Sequence, residues 1–410
     1  GRRYLDCVNN VCHVGHSNPV VVAAGADQSF VLNTNTRYLH PEVLRYAERL
    51  LATLPDHLDR VFLVNSGSEA NELAIRLVRA ATGRTDMVCL DHGYHGNTST
   101  LIDVSPYKFN ALGGAGKRDW VHVLPSPDPY RVPEFNDPGG PAIYRALADG
   151  VLADTAPAGL IAETLPGCGG QIIPPPGLLD AAYNAVRVRG GLVIADEVQT
   201  GFGRTGRFWS FERYNLLPDV VTMGKPAGNG HPLAVVATTR AIAEAFDNGM
   251  EYFNTFGGNP VSAAIGNAVL DEIERLSIVS HGEEVGDQLL RSLNTLTDRH
   301  TAIGDVRGAG LYLGVELVED RVSKDPATVL AHGVVENAKR QGVLLSTDGP
   351  FDNVIKIKPP MVFDAADADR LTDVLDRALE AVVSESPINP ATEVARPSPN
   401  ATPTRRSRQG

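Results

Sequence analysis

The chain has 410 residues, 43% of them hydrophobic, with 37 Lys+Arg against 49 Asp+Glu and a formal net charge of -12. That is enough apolar material for a large core and for two domains. The acidic balance argues against a nucleic-acid surface, and no run reaches the apolar length of a membrane span.

Gly1–Arg2–Arg3–Tyr4 lacks an initiator Met and the apolar stretch of a signal peptide, so it reads as a chain already under way. Cys7, Cys12, Cys89 and Cys168 match no zinc spacing and no CxxC pair, so no metal is expected. Four scattered cysteines fit a reducing, cytoplasmic compartment, each as buried filler.

Residues 4–32 carry short alternating segments and turn residues, a small α/β start. Leu32–His40 is a polar loop with one cation, Arg37. Pro41 opens a helix in which Val43, Leu44, Ala47, Leu50 and Leu51 share a face. Val61–Val64 is a strand, and Ala70, Leu73, Ala74, Leu77, Val78 and Ala81 keep helical spacing after it. Between the two lies Ser66–Gly67–Ser68. A strand, Ser-Gly-Ser and a helix outline an anion site, because the amides of a first helical turn are free. An isolated Ser-Gly-Ser is more commonly an ordinary N-cap, and the missing lysine excludes a Walker loop.

Met87–Leu90 is a strand that runs into Gly93–Tyr94–His95–Gly96, where an aromatic ring could stack on a flat ligand. Ser105–Asp137, rich in Gly and Pro, is expected to be a long surface excursion. Gly159–Ala162 is a strand ending in Glu163, and Leu178–Val188 is helical. Leu233–Thr238 is a further strand, Phe253–Pro260 an exposed loop, and Val261–Ile273 a helix. This alternation predicts a large α/β domain over residues 43–290. From Gly304, short strands at 303–306, 311–315 and 354–357 and helices near 327–340 and 365–383 suit a smaller α+β domain. From residue 384 the Pro- and Ser-rich composition predicts a disordered tail, 384–410.

The two stretches around which the chemistry gathers are Gly191–Gln199 and Val220–Pro226. Each is a short apolar run, as in a buried parallel strand. One ends in Asp196 and the other in Gly224–Lys225. In open α/β sheets, ligands sit beyond the carboxyl ends of the strands. An acid and an amine there suit pyridoxal 5'-phosphate, which needs a Schiff-base lysine and an acid opposite its ring nitrogen. On these two residues alone, a buried ion pair tying two strands is an equal reading.

The whole set resembles a known family. Ser66–Asn71, Tyr94–Gly96, Asp196–Arg204, Gly224–Lys225 and Thr255–Pro260 are similar to the motifs of the class III aminotransferases, fold type I pyridoxal phosphate enzymes. Leu5–Val11, His13–His16, Leu32–Asn35, Cys168–Pro175, Met223–Pro226 and Lys356–Met361 resemble one branch, the ethanolamine-phosphate phospho-lyases. The resemblance implies an α/β large domain with a mainly parallel sheet. It also implies a small α+β domain built from residues 1–42 and 291–383.

By the same resemblance, Lys225 is the Schiff-base lysine and proton carrier, and Asp196 pairs with the ring nitrogen. Gln199 reaches the ring hydroxyl, Tyr94 stacks on the ring, and His95 belongs to the same cofactor-binding set. Ser66, Gly67 and Ser68 hold the cofactor phosphate, and Glu163 lines the site. Thr255 reaches the cofactor phosphate of a second subunit, which makes the enzyme a homodimer with shared sites. Lys356 stands where many family members carry the arginine that clamps an α-carboxylate. Lysine is a poor substitute for that planar fork, so the implied substrate lacks an α-carboxylate. Arg37 and Lys356 are the candidates for holding a substrate phosphate. The implied reaction is elimination of phosphate from O-phosphoethanolamine, with phosphohydroxylysine cleavage or an ω-aminotransferase acting on amines as alternatives. A sensor domain of a regulator would need an attached DNA-binding segment, and none is visible.

Overall fold

The structure is a computed structural model that describes residues 1–385. The expected tail lies outside the described residues except for Ser384 and Glu385, which end the helix Ala365–Glu385.

The chain opens on a two-residue strand, β1 (Leu5–Asp6). A seven-stranded sheet follows from β2 (Arg60–Val64), β3 (Met87–Leu90), β4 (Val121–Leu124), β5 (Gly159–Glu163), β6 (Leu192–Asp196), β7 (Val220–Met223) and β8 (Ala234–Thr238). Their order is β2-β8-β7-β6-β5-β3-β4. β8 is antiparallel to both its neighbours, and the other pairings are parallel.

Side chains on successive strand residues point to opposite faces, and here they enter two separate cores. Met87, Cys89, Ile161, Ile194, Val220 and Val236 pack with Leu73, Ala74 and Leu77 of the helix Gly67–Thr82. Val88, Leu160, Val193, Ala195, Val221 and Val235 pack with the helices Leu178–Arg187 and Pro260–Arg275. Both faces are covered, which is why these strands read as near-continuous apolar runs.

A second, antiparallel sheet uses β9 (Ile303–Ala309) and β10 (Tyr312–Leu317). The short β11 (Val343–Leu344) leads to β12 (Ser346–Asp348) and β13 (Val354–Ile357), giving the order β12-β13-β10-β9. β11 pairs in parallel with β1, Leu5 opposite Val343, so the N-terminal segment joins the part of the chain that builds the second sheet.

The surface excursion expected over Ser105–Asp137 is corrected. It contains β4, an edge strand of the large sheet, and it buries Phe109 and Phe135. Val121–Leu124 is only four residues long and sits among Gly and Pro, so its own pattern is too short to stand out. Among the described residues, no helix is long and apolar enough to cross a membrane.

Candidate active site

Strand register builds one rim. In the parallel sheet, Glu163 at the end of β5 lies opposite Asp196 at the end of β6, and Asp196 lies opposite Thr222 of β7. The chain leaves β7 through Gly224 into Lys225, whose φ of +26° is unusual for a residue with a side chain. Such backbone is costly and gathers at functional sites.

The helix Gly67–Thr82 starts on the same rim, with Ser66 as N-cap accepting from the Glu69 N–H at 3.2 Å. Glycines allow the close approach here. A Cβ on Gly67 would stand 2.8 Å from Val198 Cγ1, and one on Gly224 would stand 3.4 Å from Gly67 Cα.

The result is a cleft of about 510 Å³. It gathers Ser66, Gly67, Ser68, Tyr94, His95, Glu163, Asp196, Gln199 and Lys225, all chosen from the sequence. It also brings in Asn71 and Val198, to which the sequence alone assigned no role.

Asp196 is buried and fully occupied on one side. Its Oδ2 accepts from His95 Nδ1 and from Asn71 Nδ2, each at 2.8 Å, and its Oδ1 accepts from the Val198 N–H at 3.1 Å. Asn71 is itself held, donating to the His95 carbonyl at 2.8 Å and accepting from Thr222 Oγ1 at 2.6 Å. Asn71 lies one turn into the helix that carries Ser68, so a helical-wheel reading of that segment would have pointed it at the rim.

Glu163 is buried and accepts from the Gly167 N–H at 3.2 Å and from Gln199 Nε2 at 3.3 Å. Burial pushes its carboxyl up to about 7, with nearby His95 opposing and Asp196 reinforcing the shift. Burial also draws the Lys225 ammonium below its ordinary value, against the pull of Asp196 and Glu163. Gln199 Oε1 accepts from Asn10 Nδ2 at 2.9 Å and from Lys358 Nζ at 3.2 Å. Tyr94 and Tyr107 meet edge to face with ring centroids 5.8 Å apart.

The remaining sequence candidates stand elsewhere. Lys356 lines the mouth of the cleft and donates to Asp348 Oδ1 at 3.1 Å. Arg37 and Thr255 are exposed and do not line the cleft of their own chain. Arg37 stacks over the Phe253 ring at 4.9 Å, two residues from Thr255. The cysteines divide: Cys7 and Cys89 are buried as expected, whereas Cys12 and Cys168 are half-buried and Cys168 lines the mouth.

The arrangement suits pyridoxal 5'-phosphate. A half-buried amine, a carboxylate steadied by three donors and a helix N-terminus with free amides share one cleft. An aromatic ring and the Val198 side chain supply apolar surface for a flat heterocycle.

Comparison with known proteins agrees. The family described as aminotransferase class-III matches residues 1–379. An alanine–glyoxylate aminotransferase 2-like protein of Drosophila melanogaster is 49% identical, covering 94% of this chain and 80% of the relative. An ethanolamine-phosphate phospho-lyase homolog 1 of Caenorhabditis elegans is 40% identical, covering 92% and 85%. Among solved structures, a phospholyase from Arthrobacter in complex with phosphoethanolamine superposes with a TM-score of 0.88 at 39% identity, covering 93% of this chain and 91% of that one. Rim, cleft and relatives converge: the chain belongs to the class III aminotransferase family, whose cofactor is pyridoxal 5'-phosphate.

Proposed function

We propose that this enzyme eliminates phosphate from O-phosphoethanolamine, consuming water and giving acetaldehyde, ammonia and phosphate. The observation that carries the reading is at the mouth of the cleft. Among the described residues that one chain contributes to its own cleft and mouth there is no arginine, while Lys356 and Lys358 stand there. An α-carboxylate favours a planar guanidinium fork, and a phosphate accepts point charges. The C. elegans and Arthrobacter relatives support the same substrate class.

Bound in the cleft, pyridoxal phosphate supplies an electron sink for the carbon that bears the substrate amine. The amides of Gly67 and Ser68, with the Ser66 and Ser68 hydroxyls, would hold its phosphate at the helix N-terminus. Tyr94 and Val198 would flank its ring, and Gln199 would meet the ring hydroxyl. Asp196 would face the ring nitrogen and keep it protonated, while His95 and Asn71 fix the carboxylate's orientation.

Lys225 takes the proton from the carbon next to the substrate nitrogen. Its depressed affinity for a proton makes the free amine available as a base. The electron pair released expels phosphate from the adjacent carbon, and Lys225 can return the proton. Glu163 holds Gln199 in place.

A homodimer belongs to this reading. Thr255 and Arg37 sit on an exposed surface with Tyr38, Leu39 and Phe256, from which they would reach the cleft of a second copy. We place the enzyme in the cytoplasm, where its four free cysteines stay reduced.

The Drosophila relative, by its name, favours an aminotransferase as the second reading, and the form of it expected from the sequence is an ω-aminotransferase acting on amines. One assay separates the two. The protein, pyridoxal phosphate and phosphoethanolamine are mixed without any keto acid, and phosphate and acetaldehyde are measured. Release marks the lyase, and turnover only after a keto acid is added marks the aminotransferase. Phosphohydroxylysine in place of phosphoethanolamine tests the related substrate.

A further inference from the structure

The cleft opens into a second space of about 720 Å³ that shares Tyr94, Gln199 and Lys225 with it. Three further amines line this space: Lys108, Lys356 and Lys358. Two of them follow from strand geometry. Lys356 lies in β13 and Lys358 two residues on, so Lys-Ile-Lys turns both side chains to one face.

β13 pairs with β12, whose last residue is Asp348. Asp348 is buried and takes Lys356 Nζ at 3.1 Å and Lys358 Nζ at 3.5 Å, with Gln171 Nε2 at 2.9 Å beside them. Lys108 arrives from a separate segment, the turn of helix Pro106–Phe109. Its Nζ stands 5.3 Å from the ring centroids of both Tyr94 and Tyr107.

Charge makes this cluster unusual. A buried cation is costly without an anion beside it. Lys358 is only 3% exposed, yet it shares one carboxylate with Lys356. Burial draws the Lys358 ammonium below its ordinary value against the pull of Asp348; with all three amines protonated, three charges less the one Asp348 carboxylate leave two facing the space. A phosphate monoester dianion carries two negative charges. Two amines held side by side at the end of one strand, with a third across from another segment, exceed what anchoring Asp348 requires.

We infer that Lys108, Lys356 and Lys358 form the seat for the substrate's phosphate, next to Lys225 and distinct from the helix N-terminus that takes the cofactor's phosphate. The inference rests on the lyase reading and names the groups that select its substrate class. It adds Lys108 and Lys358 to Lys356 as contacts made within one chain, whereas Arg37 would reach the phosphate only from a second copy.

Inorganic phosphate is the probe. It is titrated calorimetrically into the holoenzyme, because in the apoenzyme the Gly67 helix would also bind it. Losing one charged contact weakens binding by roughly 10- to 100-fold. K358Q, K356Q and K108Q are each expected to do so, and K108R to restore most of the affinity.

Visible absorbance of the bound cofactor reports that each variant is loaded. Should K358Q or K356Q fail to load, K108Q decides, since Lys108 Nζ stands over the Tyr94 and Tyr107 rings and, among the described residues, anchors no carboxylate as Lys356 and Lys358 do. Phosphate affinity within about twofold of wild type in the loaded variants overturns the seat, as does a wild-type holoenzyme that binds no phosphate. Weakened phosphate binding in the variants, with no phosphate released from phosphoethanolamine by the wild type, upholds the seat and removes the lyase. Release by the wild type with unchanged affinity in the variants removes the seat alone.

Discussion

Replacing Asp196 by Asn tests the proposed chemistry at its centre. Every contact that Asp196 makes within the chain is as an acceptor: His95 Nδ1, Asn71 Nδ2 and the Val198 N–H all point at its two oxygens. An amide of the same shape must turn its NH₂ either toward one of these donors or toward the ring nitrogen it is proposed to face. Within the protein, one donor left facing a donor costs about 1–3 kcal/mol of stability. The larger effect is on the reaction. A carboxylate about 4 Å from the ring nitrogen it is proposed to keep protonated would favour the charged, electron-accepting form by about 4 kcal/mol at an effective dielectric of 20. Its loss slows the step by a factor on the order of 10³. The assay is phosphate release from phosphoethanolamine by cofactor-loaded D196N, with thermal unfolding measured in parallel. A loaded D196N that releases phosphate within about tenfold of the wild-type rate refutes the role given to this carboxylate.

Three other outcomes are expected. Gly67→Ala drives a Cβ to 2.8 Å from Val198 Cγ1, an overpacking cost of about 1–3 kcal/mol; cofactor affinity should drop and V198A should relieve it in a double-mutant cycle, and additive effects would break the link. Glu163 binds its proton more tightly when folded, so cofactor-free protein should lose stability as pH rises from 4.5 to about 7. E163Q should lose roughly 3 kcal/mol less over that window in denaturant titrations, and parallel curves would count against the buried carboxyl. Chains carrying T255A and chains carrying K225A, each inactive alone, should regain activity when unfolded and refolded together. That follows because a mixed dimer has one site with both residues intact, and no recovery would show that Thr255 does not act across subunits.

Much of this protein could be read from single segments. The short runs ending in Glu163, Asp196 and Gly224–Lys225 are legible because a strand buried on both faces must be apolar until it reaches the rim. The Ser66 start of the helix Gly67–Thr82 is legible because helix caps are local hydrogen bonds. Other features depend on partners distant in sequence. The strand order β7-β6-β5 sets Glu163 beside Asp196, and no local pattern specifies which strands are neighbours. Asn71 acquires its task only when Thr222 and Asp196 arrive beside it.

β4 needed its neighbour β3 to become a strand, because four residues carry too little pattern of their own. Lys-Ile-Lys declares that two amines share a face. Only the pairing of β12 with β13 supplies the single carboxylate between them, and only the Pro106–Phe109 turn adds the third amine. The chemistry of each group is thus inherent in its residue type and local backbone. Which groups meet is decided by packing between segments, because side chains far apart along the chain interact only after the core has fixed where their strands end.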